Sequence, residues 1–117
     1  MTNRTLGLLL AGLSFGLGAV ELRRARQITG ALGVEGHETV VRAYGWRELA
    51  AGAALLAAPT SPAPVWARVA GDVLDLGTLG AALREPRAKR GPLLGALAFV
   101  GGALALDVWA ARRMQRA

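Results

Sequence analysis

The chain has 117 residues, of which 53% are hydrophobic, and a formal net charge of +6. It contains no cysteine and one histidine, His37, which excludes disulfides, thiolate metal sites and a bis-histidine haem site within one chain. A chain of this length forms one domain. Its sixteen glycines and few aromatic residues are typical of membrane helices, in which small residues let backbones approach closely.

The basic residues lie in short clusters between apolar runs, which is the pattern of loops that flank membrane spans. A nucleic-acid-binding protein would concentrate them on one solvated face among aromatic residues, so we expect no nucleic-acid partner. The main clusters are Arg23, Arg24 and Arg26, then Arg84, Arg87, Lys89 and Arg90, then Arg112, Arg113 and Arg116.

Four apolar segments of 18 to 21 residues follow one another along the chain. Each is near the roughly 20 residues that a helix needs to cross about 30 Å of hydrocarbon at 1.5 Å per residue. We therefore predict an all-α fold, a four-transmembrane-helix antiparallel bundle, which forms a single integral membrane domain over residues 1–117. The predicted spans are 5–22, 40–58, 63–83 and 92–111.

The links between these segments predict the topology. Residues 59–64 (PTSPAP) form a tight helix-breaking hairpin, residues 84–91 form a basic loop, and residues 23–40 contain a short interfacial helix that ends at Gly33. The two basic loops carry seven cations and the opposite side carries four. This bias favours cytoplasmic basic loops and external chain ends, in a multi-pass protein of the inner (cytoplasmic) membrane. We interpret residues 5–22 as a retained span, because no small-residue cleavage site follows them.

The second and third segments carry charges at one depth. Glu48 lies eleven residues before Pro59 and Asp72 lies ten residues after Pro62, on either side of the hairpin. At 1.5 Å per residue both are roughly 15 Å from it, near the bilayer midplane. We use the term charge network for the residues predicted to meet there and at the adjoining level of the fourth segment: Arg47, Glu48, Arg68, Asp72, Asp75 and Asp107.

An unpaired charge at that depth costs several kcal/mol, so these residues are expected to pair inside the bundle. We expect Arg47 to bridge Asp72 or Asp75. Arg68 is expected to support Asp72 from the same helix, because the two are four residues apart. Asp107 is the alternative partner of Arg68.

Two interpretations of the charge network are open at this point. Its ions form an interhelical clamp that fixes helix register, or they form a transport or catalytic site. No catalytic residue, metal ligand or cofactor is assigned, because Asp72-x-x-Asp75 without further acidic ligands is a weak signal for a divalent cation. A separate pair, Glu21 and Arg42, is expected at the opposite membrane interface.

Small residues recur four positions apart in the first and last segments, and we expect these pairs to let helices pack closely. None lies in a phosphate-binding loop between a strand and a helix. The pairs are Gly12 and Gly16, Ser14 and Gly18, Gly91 and Gly95, and Ala98 and Gly102.

A soluble helical bundle is the alternative fold, which the charges inside the second and third segments favour. Such a bundle needs a polar outer face on every helix. The fourth segment has a single charge, Asp107, before Arg112. We therefore favour the membrane fold.

Three stretches, VRAYGWRELAAGAALL, WARVAGDVLDLGTLGAAL and LDVWAARR, resemble a group of small four-helix bacterial membrane proteins of unknown function. These are often labelled "cyclase/dehydrase" because they occur beside, or fused to, START-like polyketide-cyclase domains. The resemblance covers nearly the whole chain and implies an integral membrane protein, but no reaction. Its signature positions here are Arg42, Gly45, Arg47, Glu48, Gly52, Trp66, Arg68, Gly71, Asp72, Asp75 and Asp107.

The function predicted from the sequence is that of a non-enzymatic membrane accessory or scaffold protein. The alternative is a small proton-coupled transporter that uses Glu48, Asp72 and Asp75, and a membrane enzyme acting on a lipid or quinone ranks third. The expected partners are the lipid bilayer and either a second copy of the chain or another membrane protein. No cofactor is expected.

Overall fold

The computed structural model describes residues 1–116, which form five α-helices and contain no strand. The all-α prediction is therefore confirmed. The four long helices coincide with the predicted apolar segments, and the second helix is the short one predicted before Gly33. The helices are α1 (Asn3–Arg23), α2 (Ala25–Leu32), α3 (Glu38–Ala57), α4 (Pro62–Ala82) and α5 (Arg90–Gln115).

Local sequence accounts for where the helices begin and end. The Thr2 hydroxyl caps α1 by accepting a hydrogen bond from the Thr5 amide at 3.1 Å. Pro62 opens α4 at a first-turn position, where its missing N–H has no helical partner to lose. Gly33 ends α2 with φ of 75°, a left-handed conformation that favours glycine.

The four long helices form two antiparallel pairs, because α1 packs along α3 and α4 packs along α5, whereas the pairs touch each other less. The bundle is elongated, with extents of 47 × 23 × 18 Å. Both chain ends lie at the end of the bundle that holds the hairpin, since Arg113 contacts the Met1 carbonyl and Gly7 abuts Pro59. The two basic links meet at the other end, where the Lys89 amide donates to the Leu32 carbonyl at 2.9 Å.

The α1–α3 contact depends on glycines that allow the backbones to approach. A Cβ added at Gly18 would lie 2.8 Å from the Gly45 carbonyl oxygen, and one at Gly45 would lie 2.9 Å from Leu22 Cγ. The predicted small-residue contact therefore holds for Ser14 and Gly18, which are buried. It fails for Gly12 and Gly16, which have no other atom near them and lie on the outer face of α1.

The same failure applies to the pairs predicted in α5. Gly91, Gly95, Ala98 and Gly102 are all exposed, and a Cβ at any of the three glycines would meet no atom within 4 Å. The inner face of α5 instead carries Leu93, Asp107, Ala110, Ala111 and Met114. The four-residue spacing correctly placed the small residues of each pair on one face of a helix. It did not show whether that face is the inner or the outer face.

The interior changes character along the long axis. An apolar cluster fills the end that holds the hairpin and the chain ends, and charged side chains lie beyond it. The cluster consists of Leu6, Leu10, Ala11, Leu55, Val65, Ala110, Ala111 and Met114.

Two helices, α1 and α5, are long and apolar enough to cross a membrane by length and composition. Helices α3 and α4 have comparable lengths, of 20 and 21 residues, but each contains at least three charged side chains. Those charges lower the average hydropathy of the two segments. The direction in which they point therefore decides what α3 and α4 expose to their surroundings.

Candidate functional site

The site begins with Arg47, whose guanidinium forms a two-pronged ion pair across the α3–α4 contact. Its Nη1 donates to Asp75 Oδ1 at 3.0 Å and its Nη2 donates to Asp75 Oδ2 at 2.9 Å. The same Nη2 lies 3.3 Å from Glu48 Oε1. Parallel N–H···O bonds of this kind fix orientation as well as adding energy. Of the two partners that the sequence allowed for Arg47, the structure selects Asp75.

Arg68 continues the chain of ion pairs toward α5 and α1. Its Nε lies 3.0 Å from Asp107 Oδ1, and its Nη1 lies 3.4 Å from Glu48 Oε2 and donates to the Ser14 hydroxyl. Glu48 therefore links the two arginines. The result is a continuous series, Asp75–Arg47–Glu48–Arg68–Asp107, built from α3, α4 and α5. Helix α1 joins it through the Ser14 hydroxyl, which accepts a hydrogen bond from Arg68.

Most of this series is shielded from the surroundings of the bundle. Asp107 is fully buried, and Arg68 and Glu48 are 5% and 7% exposed. Arg47 and Asp75 are partly exposed, with side chains 29% and 17% accessible. The polar centre is therefore enclosed between helices whose outer faces are apolar, and its pairing follows from the cost of burying a lone charge.

The surroundings of Arg47 explain why it takes one orientation. Its guanidinium lies 4.8 Å from the centre of the Tyr44 ring, within cation–π range. It also lies against Gly71, where an added Cβ would be 3.1 Å from Arg47 Cζ. The Tyr44 hydroxyl is hydrogen-bonded to the Thr78 hydroxyl on α4. Tyr44 and Gly71 thus shape a slot for the arginine.

Asp72 departs from its predicted role. Arg68 was expected to support it, but Arg68 directs its N–H groups to Asp107, Glu48 and Ser14 instead. Asp72 is 5% exposed, and its Oδ2 has no hydrogen-bond partner within residues 1–116. The reason is geometric: the guanidinium of Arg68 extends across the bundle to α5, α3 and α1 rather than along its own helix.

The predicted interface pair is also not formed. Within the part of the chain that the structure describes, no ion pair joins Glu21 and Arg42. The close approach of α1 and α3 places Glu21 Cβ 3.2 Å from where a Gly45 Cβ would stand, and Arg42 is exposed. Glu21 contributes instead to the lining of a cavity.

That cavity, of about 920 Å³, lies between the two helix pairs and extends from α2 and the α4–α5 link to the charge network. Its walls are mainly apolar, with Leu17, Ile28 and Val100 among them. The polar groups that reach it include carboxyl groups from α1, α3, α4 and the α4–α5 link. These carboxyl groups belong to Glu21, Glu48, Asp72, Asp75 and Glu85.

The carboxylates do not converge as metal ligands do. Among the described residues no group of three or more His, Cys, Asp or Glu side chains is arranged to hold a metal ion. The acidic groups are instead distributed along the cavity and around the two arginines. The chemistry that this arrangement offers is ion pairing and hydrogen bonding to a group that enters the cavity.

Two members of the site were not found from the sequence. Ser14 was assigned only to close helix packing. A hydroxyl at the depth of the buried charges is, however, an indication that the side chain forms a hydrogen bond with one of them. Tyr44 was not assigned at all, and its three-residue distance from Arg47 on one helix face is the signal for their contact.

Comparison of the chain with protein-family models, with curated proteins and with solved structures gives no match. The function is therefore argued from the arrangement of the side chains themselves. The arrangement combines a buried series of ion pairs, two buried carboxylate oxygens without a hydrogen-bond donor (Asp72 Oδ2 and Asp107 Oδ2) and an adjoining apolar cavity.

Proposed function

We propose that the chain is a four-span integral membrane protein with a non-enzymatic accessory or scaffold role, whose charge network clamps its helices together. The observation that carries this proposal is the distribution of polarity: charged side chains at mid-helix are buried, while large apolar side chains on the same helices are exposed. Soluble proteins have the opposite distribution.

The exposed apolar side chains occur on several helices and at several depths. Trp46 on α3 is 65% exposed and Leu9 on α1 is 56% exposed. Large exposed apolar surfaces are rare on soluble monomers, whereas a surface that meets hydrocarbon is apolar. The other exposed side chains of this kind outside the cavity include Leu8, Val20, Leu56, Leu94, Leu106 and Trp109.

The charges of α3 and α4 do not oppose a membrane location, because most of them are directed into the bundle. Glu48, Arg68 and Asp72 are buried, and Arg47 and Asp75 satisfy each other. Paired ions on the bundle interior are the arrangement in which charged residues occur in membrane helices. The 47 Å long axis also fits a bilayer of about 40–45 Å including headgroups.

The ends of the bundle carry residue types that are typical of the membrane–water interface. The three basic clusters lie in the links and the C-terminal turn, and Arg113 covers the ring of Trp109 at 5.5 Å. The positive bias of the two basic links supports their cytoplasmic placement in the bacterial inner membrane. The resemblance to small four-helix bacterial membrane proteins supports the same proposal, and a second copy or another membrane protein is the expected protein partner.

The test is membrane extraction. We expect the expressed chain to stay with the membrane pellet after alkaline carbonate treatment and to enter solution only with detergent. A control protein bound peripherally to the same membranes should be released by carbonate. Recovery of the chain as a stable monomer in detergent-free buffer would contradict the proposal.

A small proton-coupled transporter is the second candidate, which the cavity favours because it connects one end of the bundle with Glu48, Asp72 and Asp75. In liposomes with an imposed pH gradient and a candidate substrate present, a transporter would dissipate the gradient faster than empty liposomes do. Asp75→Asn should remove that excess rate. A scaffold predicts equal rates for the intact chain, the variant and the empty liposomes.

A further inference from the structure

The cavity between the helix pairs has the size and the walls of a small-molecule site. Its volume of about 920 Å³ lies within the roughly 300–1,000 Å³ typical of ligand pockets. Apolar side chains from α1, α2 and α5, such as Leu17, Ile28 and Val100, form much of its surface. An apolar molecular body is therefore the kind that these walls accommodate.

The charges that reach the cavity have one predominant sign. Five carboxyl groups line it, against a single guanidinium, that of Arg68. Glu48 and Asp75 are paired with arginines, whereas Glu21 and Asp72 form no ion pair among the described residues. Arg68 is already engaged by Asp107, Glu48 and Ser14, so it offers little to an anion. The field inside the cavity therefore favours a cation and disfavours a carboxylate or phosphate.

Asp72 specifies what kind of cation fits. Its carboxyl group is 5% exposed and lines the cavity, and its Oδ2, like Oδ2 of the neighbouring Asp107, receives no hydrogen bond from an N–H or hydroxyl group of residues 1–116. The charged groups around it are Asp107, Arg68 and Asp75. Two of these are carboxylates with no N–H to donate, and the third is engaged elsewhere. A buried acceptor without a donor is costly, so a donor supplied from the cavity would be favoured.

A metal ion is a poor match for this acceptor, since the described residues contain no cluster of three metal-ligating side chains. A quaternary ammonium brings charge but no N–H. A protonated amine brings both the charge and the donor, and forms a charge-assisted hydrogen bond with a single carboxylate oxygen.

We infer that the cavity binds an amphipathic organic amine, with its ammonium group on Asp72 and its apolar body along the walls formed by α1, α2 and α5. This site goes beyond the scaffold role and requires no movement of the ligand across the membrane. The ion pairs of the bundle stay intact, because Asp72 is the member of the charge network that they do not use.

The experiment measures equilibrium binding of radiolabelled 4-phenylbutylammonium to the full chain in zwitterionic nanodiscs at pH 7, with binding to empty nanodiscs subtracted. Two comparison ligands have the same phenylbutyl body but a different head group in place of the ammonium. 4-Phenylbutyltrimethylammonium has the charge without an N–H, and 4-phenylbutanol has a donor without the charge. We expect saturable binding at one site per chain and at least tenfold weaker binding of both comparison ligands.

Two types of variant locate the site. Asp72→Asn should weaken amine binding at least tenfold, because the amide lacks the charge. Ala96→Phe, on the cavity side of α5, should block the cavity, whereas Ala98→Phe, on the exposed side of the same helix, should bind as the intact chain does. The Ala96 and Ala98 variants keep the test valid if Asp72→Asn fails to fold.

Three results would overturn the inference. The first is no saturable amine binding by the intact chain, which is the result expected if a proton shared between Asp72 and Asp107 satisfies both carboxyl groups. The second is equal affinity for the trimethylammonium ligand, which would remove the role of the N–H. The third is an equal loss of amine binding in Ala96→Phe and Ala98→Phe, which would place the binding site outside the cavity.

Discussion

Arg68 connects more of the bundle than any other side chain described above. It reaches Asp107 on α5, Glu48 on α3 and Ser14 on α1 from its own position on α4. Five N–H donors in a rigid planar group allow one arginine to serve several acceptors at once, which a lysine cannot reproduce in the same geometry. The position of Arg68 therefore controls whether two carboxylates in the interior are compensated.

At this scale we expect Arg68→Met to destabilise the protein by roughly 3–5 kcal/mol. The substitution leaves the buried Asp107 without a cationic partner and removes one of the two arginines that compensate the charge of Glu48. The matched control is Arg42→Met, an exposed position on α3, where the change should be within about 0.5 kcal/mol. The measurement is the free energy of unfolding in mixed micelles by titration with a denaturing detergent. Equal stabilities of the two variants would show that the charge network does not clamp the bundle.

At the scale of elements, the molecule is two helix pairs joined by a polar layer. Glycines set the distance within the α1–α3 pair, since Gly18 and Gly45 bring the two backbones together. Between the pairs, contact is made by the apolar cluster and by the Arg47–Asp75 and Arg68–Glu48 ion pairs of the charge network. The separation between the pairs beyond the network forms the cavity.

The α1–α3 crossing gives a second prediction, with a control two residues away on the same helix. Gly18→Ala should destabilise by about 1–3 kcal/mol, because its Cβ would lie 2.8 Å from the Gly45 carbonyl oxygen. Gly16→Ala adds a methyl group where no atom lies within 4 Å. It should be neutral or stabilise α1 by up to about 1 kcal/mol, through the higher helix propensity of alanine. If Gly18→Ala and Gly16→Ala changed the free energy of unfolding equally in the same assay, the close approach of α1 and α3 would be contradicted.

The helices could be read from the sequence with little error, because their ends are marked by local signals such as Pro62 and Gly33 and their lengths by long apolar runs. The sequence limited the possible ion-pair partners within the charge network but did not determine which of them bond. Whether Arg68 bonds to Asp72 or Asp107 depends on the path of a long side chain between helices, which sequence spacing does not determine. Glu21 and Arg42 were paired by depth alone, and the rotation of each helix separated them.

The whole molecule has a buried layer of charged side chains enclosed by an apolar surface, with basic residues at its ends. That distribution is the central claim, and the absence of cysteine from the chain makes it directly testable. Single cysteines can be placed at exposed positions on each long helix, outside the cavity, and in the two short links. The outer-face set is Leu9→Cys, Trp46→Cys, Ala70→Cys and Ala98→Cys, and the link set is Thr60→Cys and Arg87→Cys.

The most direct measurement is labelling of these variants in intact and in opened membrane vesicles with an impermeant maleimide. In sealed, right-side-out vesicles we predict that Thr60→Cys reacts and that Arg87→Cys reacts only after opening. The four outer-face cysteines should resist labelling in both conditions and react once the protein is denatured in detergent. Rapid labelling of all four helix positions in intact vesicles or in buffer would show that these faces meet water, and would contradict the membrane-spanning account.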